Sequence, residues 1–593
     1  MKNKRRNKFL LLVLGALLCM AACENESTLR EAGKPIIEGA VSPAITLEPV
    51  ATETPVPTAT STPAPTSTPT PTPSPTPVWT GTEGEVTFSE KEHFFEEPLS
   101  LSLAISEEKE GYITYTMDST EPLADGTRYE APLLLEGTAN ATPEIYTIRA
   151  KAWYTDGSSS DTYVHTYFVG ANAKSRYTTL IISIHGDAAE LTEGPDGILY
   201  GENYRERGSE SERKVYVEAI SADGEDMVSQ YAGVRVFGGG SREFAVKSLK
   251  LYARKEYQDG KGTFEMNPFG SMTLDGTELI EKYDKLVLRA GGDDFQHGFI
   301  RDELAQRLAE KAGFAAYEAV VPAVAYLNGE YYGLFWLHES YCDKYFQYRN
   351  GKSKGEYIVL EGSEKNKSIK EDEAEAEAAK EYNRMYKKFS TADLADDAVY
   401  AEVNAWIDVE NYLDYMAFNM YISNYDWPQG NYRCFRYYPA EGEEYGTGEK
   451  DGRWRFLMHD ADIGFSTYYS AKDGADRNDI KQVTDSGHKR YSALLTGLLK
   501  REDCRTYFTN KLYEYRDGAL SYESVCETLD TMCAERDAEL PYYFEHLDEL
   551  GKTVEDVYAN SNLTKQHVER IKEFAKYREE NITEIIEEYL QKY

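Results

Sequence analysis

Asp426 and Asn431 have the residue types that a phosphoryl-transfer site requires. They lie five positions apart, in a segment that follows a helix-like stretch and also contains Trp, Pro and Gly. Such a site needs a carboxylate that accepts the proton of the attacking hydroxyl, and an amide or carboxylate oxygen that binds the metal. An ordinary Asn/Asp/Gly turn has the same composition, so the spacing alone leaves both interpretations open.

A second acidic segment, Asp460-Ala-Asp462, follows the apolar run 454–458. Carboxylate oxygens are hard ligands, which suit a hard divalent cation such as Mg²⁺ or Mn²⁺. If the predicted strand continues through both aspartates, their side chains point to the same face. A structural Ca²⁺ site is the competing interpretation.

Glycines 238–240 separate two predicted strands, 233–237 and 244–252. Gly239 and Gly240 would let backbone N–H groups approach a phosphate, and Lys247 or Lys250 on the second strand could reach it. Any hairpin can turn on glycines, so this signal is weak alone.

The order of these parts is more informative than each part. A glycine-rich turn, a strand lysine, a helix, an aspartate and asparagine five positions apart, and an aspartate after a strand occur in this order in protein kinases.

Taken together, the segments resemble the CotH family, the spore-coat-protein-H-type atypical kinases. The resemblance covers residues 180–500, and the matching segments are 239–242 with 247–248, 288–293, 326–335 with Glu339, 424–431, and 460–462. Two features depart from the family pattern. His459 stands where the family commonly has Trp, and a Gly/Glu-rich insert occupies residues 440–452.

The resemblance implies ATP-dependent protein phosphorylation on a minimal kinase-like fold, with Mg²⁺ or Mn²⁺. It implies that Asp426 is the catalytic aspartate and that Asn431 is its metal-side partner. It also implies that Asp460 is the metal-binding aspartate and that Asp462 is auxiliary.

The same resemblance implies a nucleotide pocket. Its residues would be Lys247, Lys250, Gly239, Gly240, Arg242, Arg289 and Glu339. Lys247 is the first candidate for the phosphate lysine and Lys250 the second. Arg242, Arg289 and Glu339 would each serve equally well in a structural ion pair.

The sequence predicts a multidomain protein: a β-sandwich accessory module and an α+β kinase-like domain with a helical C-terminal part. We predict a signal peptide at 1–22, a Thr/Pro-rich stalk at 23–80, the β-sandwich at 81–170, the kinase-like domain at 171–500 and its helical part at 501–593. The β-sandwich resembles the chitobiase/β-hexosaminidase C-terminal-type module, an accessory unit with no catalytic role.

The N-terminus predicts export and a lipid anchor. A basic stretch precedes an apolar stretch too short to span a bilayer well, and Met20-Ala-Ala-Cys23 resembles a bacterial lipobox. This resemblance implies diacylation of Cys23, whereas an ordinary secretory signal is the alternative. Either interpretation places the protein outside the cytoplasm, and the first attaches it to the cell membrane.

The composition limits the classes of molecule that we expect to bind this protein. The net charge of -37 repels nucleic acid and favours a basic, Ser/Thr-bearing protein substrate. A cell-wall polysaccharide could bind the β-sandwich. Two other function classes stay open: a catalytically inactive surface-binding lipoprotein, and a metal-dependent phosphodiesterase or hydrolase. The second would normally need histidines, and His459 alone lies beside the acidic segments.

Overall fold

A computed structural model describes residues 82–592 except 107–108, 141, 194–195, 259, 363–372, 429, 486–488 and 552–560. The predicted signal peptide and the whole predicted stalk, including Cys23, lie outside the described residues. Within the described part, no helix has the length and apolar character needed to cross a membrane.

The β module, residues 82–170, consists of short strands. Its strands are β1 (Val86–Phe88), β2 (Phe94–Phe95), β3 (Leu99–Leu101), β4 (Leu103–Ile105), β5 (Gly111–Thr116), β6 (Leu133–Leu135), β7 (Glu144–Tyr154) and β8 (Tyr163–Val169). Four of them form a sheet in the order β2-β8-β7-β5, and β1-β4 and β3-β6 form two small pairs. Alternating apolar residues from all three sheets, such as Val86, Leu101 and Ile148, share one buried core.

A closed barrel of seven strands follows. Its strands are β9 (Leu180–His185), β10 (Arg213–Ile220), β11 (Asp226–Val236), β12 (Leu249–Tyr252), β15 (Lys285–Arg289), β16 (Val320–Leu327) and β17 (Glu330–Glu339). The order around the barrel is β10-β11-β12-β15-β17-β16-β9, and only the β16–β9 pair is parallel. The short pair β13 (Phe264–Glu265) and β14 (Lys282–Tyr283) lies outside the barrel sheet.

One predicted strand is wrong in its extent. The segment 244–252 was predicted to be extended throughout, but β12 begins at Leu249. A 3-10 turn, Gly240–Glu243, and a short loop precede it. Lys247 therefore lies before the strand, whereas Lys250 lies within it.

A second, three-stranded sheet provides the other half of the site. It consists of β18 (Glu356–Gly362), β19 (Tyr432–Tyr438) and β20 (Arg455–Leu457) in that order. Asn431 immediately precedes β19, and Asp460 follows β20 by three residues.

The other regular elements of the described chain are mainly α-helices. They are α1 (Ala188–Leu191), α2 (Arg301–Lys311), α3 (Asp343–Arg349), α4 (Glu373–Phe389), α5 (Asp397–Trp406), α6 (Val409–Tyr421), α7 (Ala471–Ala475), α8 (Asp479–Thr484), α9 (Lys489–Leu498), α10 (Glu502–Asp517), α11 (Tyr522–Arg536), α12 (Leu540–Gly551) and α13 (Ser561–Leu590). The predicted arrangement of a β-rich N-terminal part followed by an α/β part with a helical end is confirmed.

Candidate active site

The segment with Asp426 and Asn431 connects α6 to β19. Asn431 Nδ2 donates to Asp426 Oδ2 at 3.3 Å and to the Asp460 carbonyl oxygen at 3.3 Å. Both bonds use the amide nitrogen, which leaves the Asn431 Oδ1 oxygen as the atom able to bind a cation. The asparagine therefore joins the two acidic segments that the sequence singled out.

Asp460 and Asp462 lie in a loop after β20. We predicted that a strand would carry both side chains to one face, but β20 ends at Leu457 and Asp460 has a φ of 54°. The two carboxylates nevertheless converge on Arg289, whose Nη2 lies 2.5 Å from Asp460 Oδ1 and 3.0 Å from Asp462 Oδ2. An arginine at the end of β15, and not strand alternation, brings them together.

Arg289 is the centre of the charged cluster. Besides the two aspartates, its Nε lies 3.2 Å from Asp302 Oδ2 on α2. Asp302 also accepts from the Ala461 N–H at 2.8 Å, and Asp462 accepts from the Asp293 N–H at 2.8 Å. The Arg289 side chain is nine-tenths buried, so its charge is weakly screened by water. It fixes the loop that presents Asp460.

The carboxylates around the cleft titrate differently. Burial raises the pKa of Asp426, and the nearby charges of Asp460 and Asp293 raise it further. Burial and Asp460 likewise raise the pKa of Asp293. Burial also acts on Asp460, but the Arg289 guanidinium overrides it and holds the pKa of Asp460 below its usual value. Asp460 is thus a stable carboxylate, whereas Asp426 is the more basic of the two.

A line of buried charges lies behind the cleft. His338 on β17 contacts Glu303 Oε1 with Nε2 at 3.1 Å and Glu318 Oε2 with Nδ1 at 3.3 Å. Burial opposes protonation, but the two carboxylates raise the pKa of His338 to about 9. Glu318 Oε1 also lies 3.6 Å from Nδ1 of His459. The residue that departs from the family pattern therefore belongs to this line.

The glycine-rich turn lies beside the acidic cluster. The Phe244 ring packs on the Phe295 ring at 4.6 Å, two residues after Asp293. Arg242 donates to the carbonyl oxygens of Gly238 at 2.7 Å and Tyr204 at 2.8 Å. The Arg242 side chain therefore stabilises the conformation of the turn. Around Gly239 and Gly240 there is open space.

The two candidate lysines have different surroundings. Lys247 Nζ donates to the carbonyl oxygens of Arg242 and Phe244, both at 2.8 Å, so its ammonium is engaged within the turn. Lys250 has no hydrogen bond or ion pair to its ammonium within the described residues, where it lies 5.6 Å from the Phe237 ring centre. Burial, with Lys285 and Arg433 nearby, lowers the pKa of Lys250 to about 8.

Arg433 and Glu339 complete the placement of charged residues. Arg433 forms an ion pair with Glu361, and its positive charge contributes to the lowered pKa of Asp460. Its charge therefore acts on both Lys250 and Asp460. Glu339, a predicted pocket residue, is buried in an ion pair with Arg349 and accepts from the Ala319 N–H at 3.2 Å.

Three exposed tyrosines form a rim next to Asp426. Tyr425, Tyr468 and Tyr469 are 45%, 54% and 38% exposed. The guanidinium of Arg477 lies 5.0 Å from the Tyr425 ring centre and 5.2 Å from that of Tyr469. Large exposed aromatic groups beside a cleft are typical of a surface that receives a partner.

Sequence reasoning missed Arg433 and the line behind Arg289. One signal was available: Arg301, Asp302 and Glu303 open a helix whose apolar positions predict burial, and all three are buried. Consecutive charges on a buried helix turn must be paired. Arg301 pairs with Asp294, seven positions earlier, but the partners of Asp302 and Glu303 come from β15, β17 and the loop after β20, which the sequence does not connect.

A comparison with known protein families identifies the larger part of the chain. The CotH kinase protein family matches residues 234–582, more than half of the 593-residue chain. The chain belongs to the CotH kinase protein family. All the cleft residues described above lie within the matched range.

Within the β module, the Fn3 associated family matches residues 101–167. No curated protein matches the chain significantly. The CotH match thus covers the barrel from β11 onward, the second sheet and most of the helical end, while a separate family accounts for the module.

Proposed function

We propose that this CotH protein is an ATP-dependent Ser/Thr protein kinase with a kinase-like fold. The observation that supports this most is the bridge formed by Asn431 between Asp426 and the Asp460 loop. Phosphoryl transfer needs a proton acceptor beside a metal-binding carboxylate, and this bridge holds the two groups at one cleft. Asp426 accepts the proton of the attacking hydroxyl, a role that its raised pKa favours.

The donor set fits a hard divalent cation. Asp460, with a side chain 27% exposed, and the Asn431 Oδ1 oxygen would hold Mg²⁺ or Mn²⁺, which would neutralise phosphate charge when bound. Asp462 is buried between Arg289 and the Asp293 N–H, so its part is to position the loop.

Lys250 and Arg433 form the cationic side of the cleft and would receive the phosphates. Lys247 is less suited to this task because its ammonium already binds two carbonyl oxygens. Gly239 and Gly240, with open space around them, would allow a phosphate to approach the turn.

The acceptor is a basic protein that carries Ser or Thr. The net charge of -37 attracts such a substrate, and the rim of Tyr425, Tyr468 and Tyr469 lies where it would approach Asp426. We further propose a lipid anchor at Cys23, a location outside the cytoplasm on the cell membrane, and a stalk that holds the protein away from it. A chitobiase-like, polysaccharide-binding role of the β module is part of the same proposal.

Calorimetry with ATP and Mn²⁺ on two variants tests the site. We expect Asp460→Ala to abolish metal-dependent nucleotide binding, whereas Asp426→Ala should bind nucleotide and lose phosphate transfer, because only the first residue holds the metal. Nucleotide binding by the Asp460 variant at wild-type strength would refute the metal role. Binding without transfer by the wild type to any basic protein would instead favour an inactive binding protein.

The two lysines provide a matched pair. Lys250→Met should weaken binding of Mn²⁺–ATP by about tenfold or more, an estimate based on the loss of one charged hydrogen bond. Lys247→Met should lower the melting temperature and leave the affinity of the folded protein unchanged. The opposite result would restore Lys247 as the phosphate lysine.

Membrane fractionation tests the anchor. A diacylated Cys23 supplies the two chains that stable attachment requires. Cys23→Ala should therefore leave the membrane fraction, and a wild-type protein that washes off with salt would refute the lipid anchor.

A further inference from the structure

A second cluster of possible metal ligands lies at the junction between the β module and the barrel. None of its residues has a role in the site described above. His93 and His165 come from the module, while Glu218 comes from β10 of the barrel. One donor atom from each lies within 4.8 Å of the other two, and all three residues are buried. The cluster thus joins side chains of the β module to a side chain of the barrel.

Two of these side chains, those of His93 and Glu218, are held by a second set of contacts. His93 Nδ1 lies 2.7 Å from the Thr166 carbonyl oxygen, and a histidine ligand usually donates one ring N–H to such a group while the other nitrogen binds the metal. Glu218 accepts from the Thr166 N–H at 3.1 Å and from the Thr166 hydroxyl. The carboxylate and one imidazole are thus already oriented.

Two ring nitrogens in the cluster lack partners. Nε2 of His93 and Nε2 of His165 are buried and make no hydrogen bond within the described residues. His93 is fully buried and His165 is 4% exposed. His165 faces the carboxylate with its other ring nitrogen, Nδ1, which lies 3.6 Å from Glu218 Oε1. Leaving a buried polar atom unpaired is unfavourable, so two such atoms in one cluster favour the binding of a ligand.

The chemistry of the donors selects the kind of ligand. Two imidazoles and one carboxylate are a set that zinc accepts, and neutral imidazole is the form that binds metal. His185 Nε2 lies 3.3 Å from Glu218 Oε2 and also contacts Ser183 Oγ at 2.8 Å and Thr166 Oγ1 at 3.1 Å, so it would leave these hydroxyl groups to become a fourth donor.

We propose that His93, His165 and Glu218, with His185 as the fourth donor, bind a divalent transition-metal cation of the zinc class that fastens the β module to the barrel. Donors on a tetrahedral zinc lie about 3.3 Å apart, given zinc–ligand bonds of about 2.0–2.1 Å. The observed separations of up to 4.8 Å therefore close by about 1–1.5 Å through side-chain rotation. The rings of His93 and His165, now stacked at 4.4 Å, would tilt apart in that step.

Zinc binding to the full chain, purified without a polyhistidine tag, tests this proposal. Zn²⁺ would be titrated in competition with a chromogenic chelator, in excess Mg²⁺ so that the carboxylates of the cleft are occupied. We expect one Zn²⁺ per chain and a higher melting temperature with Zn²⁺. The conservative variants His93→Asn, His165→Asn and Glu218→Gln should each weaken binding by at least about tenfold.

A matched control uses a histidine outside the cluster. His546 packs edge-on against Tyr331 at 5.3 Å between ring centres. His546→Gln should bind Zn²⁺ like the wild type. Absence of Zn²⁺ binding by the folded wild type, or an equal loss in the His546 variant, would refute the site.

X-ray absorption at the zinc edge needs no variant and covers the case in which a substitution prevents folding. Scattering from two or three imidazoles is expected for the wild-type protein with one Zn²⁺. A shell of oxygens alone would place the ion at the acidic cleft and would overturn the proposal.

Discussion

Two buried clusters of histidine and glutamate differ in the number of carboxylates for each histidine. This number determines in which direction the pKa of the histidine is shifted. His338 lies between two carboxylates, Glu303 and Glu318, and burial is overcome so that its pKa rises to about 9. His165 shares a single carboxylate, Glu218, with other imidazoles, and burial lowers its pKa to about 3. His338 therefore holds a proton at neutral pH, whereas the ring of His165 is neutral there.

The comparison also shows that closely spaced donor atoms do not by themselves form a metal site. Asp302, Glu318 and His338 have donor atoms as close together as those of the junction cluster. A protonated imidazole has no lone pair to give, so proximity alone does not make the first group a metal site. Its part is to balance the charges behind Arg289, whereas the cation of the proposed kinase reaction is assigned to the open cleft.

The largest expected effect separates the cleft from the junction. Asp426→Asn removes the proton acceptor and should lower the rate of phosphate transfer by about 10²–10⁴-fold, the usual contribution of such a group. Zinc binding at the junction should be unchanged, because within the described residues no contact connects Asp426 with His93, His165 or Glu218. Labelled ATP with a basic acceptor protein measures the first quantity and chelator competition the second. A transfer rate within tenfold of wild type would contradict the assigned role.

Arg289→Met tests the charge balance behind the cleft. Removing one partner of a buried ion pair costs about 3–5 kcal/mol, and here Asp302, Asp460 and Asp462 all lose their cation. We expect a fall of that size in the free energy of unfolding by urea. Mg²⁺ should restore part of it by supplying the missing positive charge.

The control for Arg289 is an exposed ion pair. Arg205→Met removes an arginine whose side chain is 65% exposed and pairs with Glu243 at 2.9 Å. Such pairs contribute about 0–1 kcal/mol, so the change should be small. Equal losses in both variants would show that burial does not strengthen the Arg289 contacts.

His338→Gln tests the protonation state directly. The pKa of His338 is raised from 6.5 to about 9, so its contribution to stability is complete below pH 6.5 and is lost as the pH rises through 9. At about 1.4 kcal/mol for each unit of pKa, the wild type should lose at most about 3 kcal/mol over that range. Urea unfolding at pH 6.5 and pH 9 should show this decline in the wild type and a flatter profile in the variant.

The junction cluster should respond with the opposite sign. The pKa of His165 is lowered to about 3, so the unfolded chain takes up a proton that the folded chain refuses between pH 6.5 and pH 3. Stability should therefore fall as the pH falls, and His165→Asn should reduce that fall. A wild-type profile without the alkaline decline would remove the contrast between the two clusters.

The sequence was sufficient for local features and insufficient for long-range pairing. The spacing of Asp426 and Asn431, the position of Asp460 and the helix that begins near Ile300 are local patterns. The barrel closes through β9 and β16, whose paired residues Leu180 and Ala323 are more than a hundred positions apart. Period-2 patterns mark strands but do not state their partners.

The site shows the same division. Arg289 was recognised as either a pocket residue or an ion-pair residue, and the sequence could not decide because its partners lie on α2 and after β20. The roles of Lys247 and Lys250 depended on where a strand begins, which sequence patterns define poorly. Boundary errors of a few residues matter most where one side chain must reach a ligand.

Gly292→Ala would sharpen the account of Asp462. Gly292 has a φ of 55°, and an added Cβ would contact Asp462 Oδ2 and lie 2.8 Å from Arg289 Nη2. Gly313 has a φ of 83° and open space around its Cα, so Gly313→Ala incurs only the backbone cost of about 1–2 kcal/mol. Gly292→Ala should lose about 1–3 kcal/mol more, because the collision moves a buried ion pair. It should also weaken Mn²⁺ binding at the cleft while Zn²⁺ binding at the junction stays unchanged. Urea unfolding could instead give equal losses of unfolding free energy for both variants. In that case the contact between Asp462 and Arg289 would not depend on the absence of a side chain at position 292. The loop that presents Asp460 would then be less constrained than its hydrogen bonds indicate.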